Sequence, residues 1–163
     1  MSALTAKRLP NAEEVSLPTP LEYERIGSKS TAARLFRTCN GWALKVLVVE
    51  DCISTRLIMC HYLNRLGCDV TSCSSGEEAE DLCATQKFNV IFMDVGLPGI
   101  SGVQASKNIL AKAGKLPLPA IVICSADPPD KGVRNEIPAD CIRKPVTQHG
   151  LKQKLNQLTM QHA

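Results

Sequence analysis

At 163 residues, the chain is long enough for one domain with a sizeable core plus an appendage. A formal charge of +3 is too small to argue for nucleic acid. It is also spread out, with six Lys/Arg against four Glu over residues 1–44 and thirteen against twelve acids over 45–163. No apolar stretch approaches the roughly 18–20 residues of a membrane span, and the opening MSALTAKRLPNAEE lacks a signal-peptide apolar region, so the cytoplasm is the expected compartment.

Residues 1–44 read as an N-terminal extension, largely disordered or linker, broken by Pro10, Pro18 and Pro20 and by Gly27-Ser28-Lys29-Ser30. Within it, the stretch from Ser30 to Cys39 can form one or two helical turns anchored by Leu35 and Phe36, and a short docking helix is the alternative reading. From residue 45 to about 160, strand and helix patterns alternate. Lys45–Val49 is a near-continuous apolar run, as expected of a strand buried on both faces. Ile53, Leu57, Ile58, Leu63 and Leu66 then recur at helical spacing, and Gly67 ends that helix. A strand over Cys68–Cys73 leads to Ser75-Gly76-Glu77-Glu78, a capping box that opens a helix to about Gln86. Further strands are predicted at Asn89–Met93, Pro119–Cys124 and Asp140–Ile142, with helices through Ala113 and from Gln148 to Met160. The fold class is α/β: a (βα)5 doubly wound parallel sheet of five strands, with right-handed crossovers and the flavodoxin-like strand order.

None of the eight cysteines forms a C-x-x-C pair, and His61, His149 and His162 do not fall at zinc-ligand spacing beside them. Reduced structural thiols are expected, with Cys68, Cys73 and Cys124 acting as small hydrophobes in strand-like runs. Cys52, beside an acidic pair, is the cysteine expected to be most exposed and oxidisable. His61 lies within a helix and is expected to face solvent.

Four fragments end their apolar runs in polar residues: VLVVED at Glu50-Asp51, VIFMD at Asp94, IVICS at Ser125 and CIRKP at Lys144-Pro145. In a parallel sheet all of these meet at the carboxyl edge. Such a set suits a transient acyl phosphate on Asp94. A carboxylate is a poor nucleophile toward an anionic phosphoryl donor unless a divalent cation relieves the repulsion. Magnesium favours hard oxygen ligands, which Glu50, Asp51 and Asp94 supply, with the backbone carbonyl near Gly96 in reach. Lys144 compensates charge on the phosphoryl oxygens, Ser125 donates to another, and a cis peptide before Pro145 aims the lysine at the site.

These residues carry a family resemblance. The chain from about Lys45 to Met160 resembles the receiver domain of two-component response regulators, with VVED, FMDVGLPGISG, ICSA and RKP in order. Asp51 to Asp94 spans 43 residues and Asp94 to Ser125 spans 31. The wording is most similar to receivers of hybrid histidine kinases. The resemblance implies that Asp94 is the phosphoacceptor, with Asp51 and Asp94 as direct Mg2+ ligands. Glu50 then acts through water or directly, Gly96 through its carbonyl, and Ser125 and Lys144 sense the phosphoryl group. It further implies a donor phosphohistidine on a histidine kinase or histidine phosphotransfer protein, an unknown downstream protein partner, and no catalysis beyond self-phosphorylation and autodephosphorylation. Two features depart from the family. Ser125 to Lys144 is 19 residues, so the helix in DPPDKGVRNEIP should be short or irregular, and Cys141 stands where an aromatic is usual. Only Arg143 to Ala163 follows the fifth strand, so a DNA-binding output is not expected, and the chain reads as a stand-alone switch or part of a hybrid protein. The alternative is a pseudo-receiver, a constitutive interaction module. A phosphatase on a related fold would want a second carboxylate just past Asp94, where Val95, Gly96 and Leu97 stand.

Overall fold

A computed structural model describes residues 43–113, 118–127 and 137–161. The N-terminal extension, its docking-helix alternative and the segment expected to hold an irregular helix before the last strand lie outside the described residues. The elements run β1 (Lys45–Val49), α1 (Ile53–Arg65), β2 (Asp69–Cys73), α2 (Gly76–Thr85), β3 (Val90–Asp94), α3 (Gly102–Lys112), β4 (Ala120–Ser125), β5 (Ala139–Arg143) and α4 (Gln148–Gln161). All neighbouring strands pair in parallel, in the order β2-β1-β3-β4-β5. This is the doubly wound order expected, and its direction reverses between β1 and β3.

Strand alternation divides the core into two layers. Val46, Val48, Phe92 and Val122 point to one face and pack with Met59 and Leu63 of α1 and Leu151 and Leu155 of α4. Leu47, Val49, Ile91, Met93 and Ile123 point to the other and meet Ala79 of α2 and Ala105 and Ile109 of α3. Because both faces are covered, the central strands need apolar residues at every position, which explains their unbroken runs. Cys68, Cys73 and Cys124 are buried in these layers as expected, and Cys52 is exposed. Among the described residues, no helix is long and apolar enough to cross a membrane.

The helix ends follow their local chemistry. Gly67 adopts φ +85°, while its N–H donates to the Asn64 carbonyl and the Cys68 N–H donates to that of Leu63. Those two bonds and the left-handed glycine form a Schellman stop. At α2, the Glu78 N–H donates to Ser75 Oγ at 3.2 Å, but the Glu78 carboxylate accepts from the Ser74 N–H at 2.9 Å. The expected box therefore closes on the residue before the cap.

The apolar face of α1 differs from the one the spacing suggests. Met59, Leu63 and Leu66 are buried, whereas Ile53, Leu57 and Ile58 are 63%, 44% and 48% exposed. The helix carries two apolar stripes, and only the one C-terminal in weight meets the sheet.

Candidate functional site

The candidate side chains are delivered by the ends of four strands. Glu50 and Asp51 follow β1, Asp94 ends β3, Ser125 ends β4 and Lys144 follows β5. Register explains their convergence. Val49 pairs with Met93, Asp94 with Cys124, and Ser125 with Arg143, so the four strands finish level at one edge. Glu50 and Asp94 are buried, at 2% and 7% exposure, while Asp51 is exposed. One carboxylate oxygen from each of the three lies within 4.8 Å of the others.

Lys144 enters this cluster from the far strand. Its Nζ lies 2.8 Å from Glu50 Oε2 and 2.9 Å from Asp94 Oδ1, and its backbone N–H donates to the Ser125 carbonyl at 2.8 Å. The Lys144–Pro145 peptide is cis, as the sequence suggests. Burial pushes the Glu50 carboxyl above its ordinary value; Lys144 opposes this, and the charge of Asp94 adds to it. Burial works the other way on the Lys144 ammonium, but its pairing with Glu50 and Asp94 wins and lifts it above the usual lysine value. Three carboxylates face one ammonium, so the cluster is under-neutralised.

The donor set suits a small hard cation. All three candidate ligands are carboxylate oxygens, the type magnesium prefers. Glu50 Oε2 is buried without a well-angled hydrogen bond, its contact with Lys144 being an ion pair only. The Lys144 ammonium offsets the burial of that oxygen only in part, since the same cation is shared with Asp94. Gly96 lies two residues past Asp94 on an exposed loop, and a Cβ there would be 4.0 Å from Asp94 Oδ2. Ser125 is half-buried at the same edge, one residue beyond the Cys124 that pairs with Asp94.

The loop after β3 is tied at several points. The Val95 N–H donates to the Cys124 carbonyl and the Gly102 N–H to that of Val95, both at 3.3 Å. The Ile100 N–H donates to Glu77 Oε1 at 3.1 Å, across from the start of α2. Gly102 seats α3 directly on the strand end, since a Cβ there would lie only 1.8 Å from the Asp94 carbonyl oxygen.

Sequence reasoning missed Arg56. Its guanidinium donates from one nitrogen to the backbone carbonyls of Glu50 and, at 3.2 Å, Asp51. A cation near a helix N-terminus opposes the helix dipole by about 0.3–1 kcal/mol, while a hydrogen bond from a charged donor contributes about 1.5–3 kcal/mol. The backbone contacts therefore outweigh the dipole. Only the arginine's position shortly after the acidic pair hinted at this, and that signal is weak because the carbonyls it meets leave no trace in side-chain identity.

The sequence model of one family, the response regulator receiver domain, matches residues 46–156. Sensor protein EvgS of Escherichia coli O157:H7 is 28% identical over 116 residues, covering 71% of this chain and 10% of that protein. The chain thus spans about a tenth of that curated relative's length. Among solved structures, one similar chain belongs to the co-crystal of the Saccharomyces cerevisiae histidine phosphotransfer signaling protein Ypd1 with the receiver domain of its downstream response regulator Ssk1. The match is 26% identical with a TM-score of 0.68, over 74% of this chain and 92% of that one. The receiver domain of the Arabidopsis thaliana histidine kinase CKI1, complexed with Mg2+ and BeF3-, is also 26% identical, with a TM-score of 0.61 over 72% of this chain and 90% of that one.

Proposed function

The chain belongs to the response regulator receiver domain family, and we propose that it works as a phosphoacceptor in a two-component phosphorelay, taking a phosphoryl group onto Asp94 from a phosphohistidine. The observation that carries this reading is the ammonium of Lys144 held at once against Glu50 and Asp94 within an under-neutralised carboxylate cluster. Glu50, Asp51 and Asp94, with the Gly96 carbonyl, would hold Mg2+. That cation, when bound, offsets charge between the carboxylate and the incoming phosphoryl oxygens. The related CKI1 receiver, solved with Mg2+ and BeF3-, supports the cofactor.

In the transfer, an Asp94 carboxylate oxygen attacks phosphorus, a P–O bond forms and the donor's P–N bond breaks, and the departing imidazole nitrogen takes up a proton. The acyl phosphate no longer carries the carboxylate charge that Lys144 paired with, so the ammonium is free to pair with a phosphoryl oxygen instead. The Ser125 hydroxyl, at the same edge, donates to another. The site acts on its own aspartate and returns through hydrolysis of the acyl phosphate, so the protein is a switch and not an enzyme with an external substrate.

The donor is a histidine kinase or a histidine phosphotransfer protein. The Ypd1 co-crystal, whose other component is a receiver, supports this class of partner. So does the exposed apolar stripe of Ile53, Leu57 and Ile58, which begins two residues beyond Asp51 and borders the acid cluster. Such a stripe beside a reaction centre suits a partner that buries it while presenting its phosphohistidine. The cytoplasm is the compartment this reading requires.

Beryllofluoride with Mg2+ tests the site without a cognate donor. Amide resonances around Asp94, Ser125 and Lys144 should shift on its addition, and a silent wild type would favour a constitutive interaction module. Asp94→Asn should abolish labelling by a phosphorylated donor, and labelling that survives would place the acceptor elsewhere.

A further inference from the structure

We infer that Arg56 is a positioning residue for the metal site, a clamp that fixes the backbone on which Glu50 and Asp51 are carried. The inference rests on the proposed Mg2+-dependent function and deepens it. Glu50 and Asp51 lie between the last residue of β1 and the first turn of α1, where neither strand nor helix pairing fixes every carbonyl. Arg56, the fourth residue of α1, reaches back over this junction and donates to both of their carbonyl oxygens. Its charge also reaches Cys60, Cys73 and Glu78, the groups facing it from α1, β2 and α2. Arg56 as a whole residue is half-buried. It touches no carboxylate of the cluster; it holds the chain from which two of them project.

Two effects of Arg56 on Mg2+ binding have opposite signs. A positive charge near the site repels a divalent cation, so removing it should tighten binding if charge is the whole story. A clamp that holds two ligands in place strengthens binding, so removing it should weaken the site, as losing outer-shell partners of metal ligands commonly does. The sign of the change therefore separates the two. Positioning should prevail, because the guanidinium contacts the backbone of both ligand residues directly while its charge is partly exposed and screened by solvent.

The experiment titrates Mg2+ into the full chain and follows amide shifts, for wild type, Arg56→Met and Arg56→Lys. Arg56→Met, which keeps the apolar stem and loses every donor, should bind Mg2+ about tenfold more weakly. Arg56→Lys keeps the charge and one donor group, and its affinity should fall between the two. In metal-free Arg56→Met, hydrogen exchange should quicken at Asp51 and Cys52 and stay unchanged in β4. Equal or tighter binding by Arg56→Met overturns the clamp. If that variant does not fold, Arg56→Lys decides: weakened binding supports the clamp and wild-type affinity overturns it. A wild type that binds no Mg2+ refutes the proposed function and the clamp together, whereas a binding wild type with unaffected variants refutes the clamp alone.

Discussion

Burial raises several cysteine thiols of this molecule above their ordinary value, Cys68 among them. Desolvation pushes the Cys68 thiol up to about 12 from an ordinary value of 9.0. The folded state then holds a proton that the unfolded chain gives up sooner. Its contribution to stability is complete below pH 9 and is lost as pH rises from 9 toward 12. Under reducing conditions, stability measured by denaturant titration should therefore fall over this range, and Cys68→Ala should make the fall shallower. An unchanged slope in the variant would show that Cys68 titrates alike in both states. At the candidate site, the acidic residues and the lysine were legible in the sequence, because each follows an apolar run whose end fixes where the strand stops. The partners were not. That Lys144 bridges Glu50 and Asp94, or that Arg56 grips two backbone carbonyls, depends on geometry that spacing does not encode.

At the scale of elements, close seating of helices on strand ends constrains the glycines unequally. Gly102→Ala would force its new methyl group into the Asp94 carbonyl oxygen, 1.8 Å from the ideal Cβ position, and α3 or the end of β3 must move. A loss of about 2–3 kcal/mol is expected from overpacking, seen as a lower denaturation midpoint together with weakened Mg2+ binding. Gly96→Ala meets nothing nearer than Asp94 Oδ2 at 4.0 Å and should keep both near the wild-type level. If Gly102→Ala folds with wild-type stability, α3 is less tightly seated than these distances indicate. The central strands were readable because a sheet covered on both faces permits apolar residues at every position over runs too short for a helix. The face of α1 was not. Ile53, Leu57 and Ile58 compete with Met59, Leu63 and Leu66 for the role of buried stripe, and packing against the sheet and α4 decides which group loses water. The capping box of α2 was legible in its serine and glutamate, with the reciprocal contact falling on Ser74 rather than Ser75.

For the molecule as a whole, exposed apolar surface and reactive edge lie together, so docking and chemistry can be separated by mutation. Leu57→Ser should leave stability within about 0.5 kcal/mol of wild type, since the side chain is already 44% exposed. Labelling by a small phospho-donor should be unchanged, and transfer from a phosphorylated protein donor should slow severalfold. Equal loss with both donors would mean that the stripe serves the fold or the site instead of a partner. A different consequence follows from the strand ends themselves. Glu50 and Lys144 stand 94 positions apart, and Lys144 follows β5, an outer strand of the sheet and the last to leave the ribosome. A growing chain can pair four strands and gather all three carboxylates while still lacking their ammonium. The ammonium thus joins the carboxylates only once β5 has paired with β4, so in the proposed acceptor the chemistry would wait on closure of the sheet.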